Sequence, residues 1–129
     1  MRSVSIALGL TIMLFTANAV RAGELDGGGW CGKWTATNKG HEGPLQAKFQ
    51  EIDACHYRVV FTGKFAKVVP FRFKTTLNVV GHDGDKVILA GEARVAVFGK
   101  FSYHAVADAH NFNATYDSRG WQGEFNLSR

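Results

Sequence analysis

Residues 57–80, YRVVFTGKFAKVVPFRFKTTLNVV, decide the fold. Tyr57, Val59, Phe61, Gly63 and Phe65 fall on one side of an extended chain, and Arg58, Thr62 and Lys64 fall on the other. Past a connector, Phe71, Phe73, Thr75, Leu77 and Val79 oppose Arg72, Lys74, Thr76 and Asn78. A period of two with aromatic and β-branched residues on its apolar side reads as an antiparallel hairpin with one dry and one wet face. The connector is out of keeping. Ala66 to Pro70 holds two valines and a proline where turn chemistry calls for polar residues or glycine.

The same alternation extends in both directions. Trp30, Gly32, Trp34 and Ala36 make one run and Leu45, Ala47 and Phe49 a second, with the hairpin supplying the third and fourth. Val87 to Ala93, Gly99 to Ala107, Phe112 to Tyr116 and Trp121 to Leu127 complete the series, and no helical period competes after the first two dozen or so residues. Connectors such as Asn38-Lys39-Gly40, Gly81 to Asp85 and Ser118-Arg119-Gly120 are too short for parallel crossovers. The fold class is therefore all-β: an eight-stranded antiparallel up-and-down meander over residues 30–129, most economically closed into a small barrel with no exposed edge. A recurrent small-polar-aromatic triplet, as in Gly32-Lys33-Trp34, Gly63-Lys64-Phe65 and Gly123-Glu124-Phe125, supplies the mix of small and bulky inner residues that a narrow barrel needs.

The amino-terminal residues read differently. Arg2, the apolar run Val4 to Phe15 and the small-residue patterns Ala17-Asn18-Ala19 and Val20-Arg21-Ala22 describe a signal peptide over residues 1–22, followed by a flexible glycine-rich lead-in over 23–29. The apolar run is shorter than the ~20 residues of a membrane span, so the mature chain is expected to hold no transmembrane span and to be secreted or periplasmic. Loss of Arg2 and Arg21 takes 15 cations against 11 acids down to 13 against 11, about +2. That balance, spread evenly along the chain, argues against a nucleic-acid partner. Cys31 and Cys55 both lie in the exported part, where a disulfide between them is the expectation and two free thiols the alternative.

Trp30 to Trp34 at the head of a meander that ends near the carboxyl terminus resembles the small barrels of the lipocalin and avidin type. The resemblance is one of pattern and implies an up-and-down barrel, without carrying biotin binding. His41-Glu42-Gly43-Pro44-Leu45, Tyr57-Arg58-Val59 and Pro70-Phe71-Arg72 resemble a family of small exported bacterial proteins, which implies export and no mechanism.

A meander sorts its connectors onto two ends. One gathers the lead-in, Asp53 to Cys55, Gly81 to Asp85, Asp108 to His110 and the carboxyl terminus. His56, His82, His110 and Asp83 are weak metal candidates there, without close ligand spacing, and read first as solvated turns. The other end gathers two apolar connectors flanked by cations, whose Phe65, Val68, Val69, Pro70, Val95, Val97 and Phe98 form either a ligand portal or interaction surface, or a plug over the barrel. No catalytic constellation and no cofactor motif is present, and inward Tyr103 and Tyr116 read either as satisfied core tyrosines, the commoner case, or as polar groups that orient a ligand. The expected function is binding of an apolar or amphipathic ligand at that end, and the rival is a structural or interaction module of the cell envelope with a filled core. The partner is accordingly a small apolar ligand or an envelope protein.

Overall fold

A computed structural model describes residues 24–95 and 99–129, so the signal-peptide reading of residues 1–22 lies outside the described residues. The strands are β1 (Gly27–Ala36), β2 (His41–Asp53), β3 (His56–Phe65), β4 (Val69–Asp83), β5 (Lys86–Val95), β6 (Gly99–Ala107), β7 (Asn111–Ser118) and β8 (Trp121–Ser128). They pair antiparallel in chain order and β8 returns to β1, closing the barrel from Cys31↔Ser128 to Ala36↔Gly123. This is the architecture that the alternation implies, with no helix among the described residues.

Alternation sets the interior. In β7 the burial pattern is strictly two-fold, with Phe112, Ala114 and Tyr116 inside. Small inner residues are required where neighbouring strands press together: a Cβ on Gly32 would collide with the Asn126 carbonyl, and one on Gly123 with the Thr35 carbonyl and the Tyr116 hydroxyl. Glycine at these positions lets strands coil tightly enough to close the sheet.

Two strands are longer than their alternation suggests. β2 begins at His41, and β4 starts at Val69 and runs to Asp83 through an irregularity between Val79 and Gly81. Val69 and Pro70 therefore belong to β4, opposite Phe65 and Lys64, and the turn itself is only Ala66 to Val68. Among the described residues the β4–β5 ladder stops at Thr76↔Glu92, leaving β4 from Val69 to Thr75 paired on its β3 side only. The Thr75 hydroxyl, donating to the Glu92 carbonyl at 3.0 Å, holds the last point of contact.

The first strand corrects the disulfide expectation. β1 starts at Gly27 rather than Trp30, so Cys31 lies in mid-strand opposite Gln46, whereas Cys55 lies in the turn beyond Asp53. Strand rise from Gln46 to Asp53 separates them by roughly 20 Å, far beyond disulfide reach. Both cysteines are free and exposed.

Candidate functional site

The two barrel ends differ in construction. At one, called here the latched end, Leu25 is wholly buried and packs into a core with Trp30, Phe49, Tyr57, Phe61 and Phe112. Trp30 Nε1 donates to the Leu25 carbonyl at 3.1 Å. Arg129 then closes the end from outside: its guanidinium donates to the carbonyls of Ala109 (3.0 Å), Asp26 (2.8 Å) and Glu24 (2.6 Å) and lies 4.4 Å from the Trp30 ring centre. The segment before Trp30, with few side chains to bury by its composition, thus supplies the stopper of this end.

The histidines and acids of the latched end do not assemble. Among the described residues no three His, Cys, Asp or Glu side chains come together as a metal site. His56 Nδ1 instead sits 2.7 Å from Asp53 Oδ1, and with the Cys55 N–H this holds the Asp53 carboxyl below its ordinary range. Asp108 is lowered likewise by the N–H groups of His110 and Asn111 and by Lys86. His82 and Asp83 are exposed at the end of β4. These are turns organised by their own side chains.

At the other end the interior opens into a cup. A cavity of about 60 Å³ is walled by Trp34, Phe65, Phe71, Phe73, Phe101, Tyr103, Tyr116, Trp121 and Phe125, all aromatic. Trp34 anchors the wall by donating from Nε1 to the Lys64 carbonyl at 3.0 Å, and stacks on Phe65 with centroids 5.8 Å apart. Phe71 and Phe73 stack at 6.1 Å, and Phe65 meets Trp121 edge-on at 6.1 Å. His41 stacks on Trp121 at 6.1 Å and Lys39 Nζ lies 5.4 Å from the same ring, so the rim is aromatic with one lysine cation above it. Phe65, Phe71, Phe73 and Trp121 are half-buried and form the mouth.

Two hydroxyls lie deeper. Tyr116 donates to the Thr35 carbonyl at 2.7 Å, and burial raises its pKa to about 12. Its cross-strand neighbour Tyr103 is 2% exposed, and its hydroxyl is the one buried side-chain polar atom without a hydrogen-bond partner among the described residues. Burial, assisted by Tyr116, pushes the Tyr103 pKa well above the usual phenol range.

The residues proposed from sequence as a portal divide. Phe65 lines the cup, whereas Val68 and Val69 stand on the outside of the same end, 76% and 53% exposed. Pro70 is exposed opposite Lys64, Val95 pairs through its backbone with Gly99, and Val97 and Phe98 lie outside the described residues. The sequence reading missed Trp34, Phe71, Phe73, Phe101, Trp121 and Phe125 as wall residues. Its available signal was an inward aromatic near this end of β1, β3, β4, β6, β7 and β8.

Charge is also divided between the ends. The latched rim carries Glu24, Asp26, Glu51, Asp53, Asp83, Asp85 and Asp108 against Arg58, Lys86 and Arg129. The cup rim carries Lys39, Lys64, Lys67, Arg72, Arg94, Lys100 and Arg119 against Glu42, Glu92, Asp117 and Glu124, of which Glu42 and Glu92 are already paired with Lys33 and Lys100. No protein-family model, curated protein or solved structure matches the chain. The fold defines the class as a small eight-stranded β-barrel.

Proposed function

We propose that the protein is an exported binding protein that takes a small, flat, largely apolar ligand into the aromatic cup. One observation carries this: the barrel is packed solid at the latched end but holds, at the other, a cavity whose walls are all aromatic and whose mouth is made of half-buried rings. Aromatic faces and edges favour flat partners by offset stacking and edge contacts. The orphaned Tyr103 hydroxyl offers a single hydrogen bond to a polar group at the inner end of the ligand.

Size limits the ligand. A cavity that receives benzene is roughly 150 Å³, more than twice the 60 Å³ here, so binding requires the mouth rings to part. Phe71 and Phe73 lie on the stretch of β4 that has no β5 ladder partner among the described residues, so a shift of that stretch would part them without breaking β4–β5 pairing. The packed remainder of the interior favours the second reading, a structural or interaction module of the envelope.

Native mass spectrometry and quenching of tryptophan emission with a panel of naphthalenes, flavone-like rings and isoprenoids separate the two. Saturable binding is expected, weakened about tenfold or more in Trp121→Ala and Phe65→Ala with circular dichroism unchanged. If no compound binds while the protein co-purifies with an envelope component, the module reading replaces this one.

A further inference from the structure

We infer that the cup end docks on an anionic lipid surface, with the tip of the β3–β4 hairpin entering the membrane interface. The ligand reading is not needed for it, because Val68 and Val69 are not among the cup walls.

Connectors normally carry polar residues into water. Here the last turn residue, Val68, and the first residue of β4, Val69, are 76% and 53% exposed at the cup end of the barrel. Lys64, Lys67 and Arg72 flank them on the same hairpin, and none makes an ion pair among the described residues. Exposed valines interleaved with unpaired cations at one hairpin end suit a bilayer surface, where acyl chains lie beneath a shell of anionic headgroups. A soluble polyanion would use the cations and leave the valines in water.

Polarity of the whole barrel adds direction. The opposite rim is predominantly acidic, so the field of a negatively charged surface attracts the cup end and repels the latched end. Half-buried Trp121, with Lys39 above its ring, lies at the same end of the barrel, and tryptophan is a residue favoured at membrane interfaces.

Flotation of the full-length mature protein with vesicles tests the inference, comparing phosphatidylcholine alone with phosphatidylcholine plus phosphatidylglycerol. Binding is expected to the mixed vesicles only and to weaken as salt rises. Lys64→Glu with Lys67→Glu should lower it by about tenfold or more, and Val68→Ser with Val69→Ser by several-fold on the order expected for lost apolar burial. The control, Lys48→Glu with Arg58→Glu, makes the same charge change away from the tip and should do markedly less. All these side chains are solvent-exposed, and circular dichroism checks that each variant folds. Absence of flotation overturns the inference, as does an equal loss in the control. Full binding by the valine variant together with equal capture on dextran sulfate would also overturn it, in favour of a polyanion bound by charge alone.

Discussion

Ala66 and Lys67 both adopt left-handed backbone conformations, with φ of +55° and +67°, and the Val68 N–H reaches the Phe65 carbonyl at 3.3 Å. Positive φ at both central residues is the type I′ arrangement, whose twist suits a hairpin and whose usual occupants are Asn and Gly. An L-residue there costs roughly 1–2 kcal/mol. Ala66→Asn with Lys67→Gly should therefore stabilise the fold by about 1–2 kcal/mol, read as a raised urea midpoint at unchanged slope. An unchanged or lowered midpoint would show that the turn is not strained. The anomaly of this connector was legible in its composition, but its geometry was not, because Ala-Lys-Val carries no turn signal. Tyr103 marks the same limit: alternation places it inside, and only packing decides that its hydroxyl finds no partner.

Among the elements, the alternation located every strand, and the errors fell where something other than side-chain period sets a boundary. β1 begins in glycines that bear no pattern, and its true start moved Cys31 away from Cys55. The stopper formed by Glu24 to Asp26 is fixed by Arg129, whose partners are backbone carbonyls and so leave no trace in sequence. Three bonds from one charged, exposed side chain stabilise by less than buried ones would. Arg129→Ala should cost about 1–3 kcal/mol and speed hydrogen exchange at the Trp30 indole, whose acceptor is the Leu25 carbonyl. Global destabilisation without faster indole exchange would mean that Arg129 does not hold the stopper. Arg129→Lys, which keeps the charge but loses the fork, should rescue little.

For the whole molecule, closure and the inner and outer faces follow from eight alternating runs, whereas the polarity of charge does not. Cations are spread evenly along the chain, and it is the meander that sends alternate connectors to opposite ends and so separates them from the acids. The β6–β7 ladder makes Tyr103 and Tyr116 cross-strand neighbours under the cup, and this gives the barrel an alkaline limit. Both phenols titrate higher in the folded state than the ordinary value of 10.0: Tyr116 at about 12, Tyr103 higher still. An acid whose folded pKa is raised binds its proton more tightly when folded. Its contribution is complete below the unfolded value and disappears as pH climbs through the folded one. Stability should thus fall from about pH 10 upward, with phenolate absorbance from these residues appearing together with loss of the β-sheet signal. Tyr103→Phe removes a buried hydroxyl that has no partner and should hold or raise stability at neutral pH while flattening the alkaline slope. Were Tyr103→Phe instead to destabilise the barrel at neutral pH, the hydroxyl would have a partner in solution, and the donor assigned to the ligand would already be engaged.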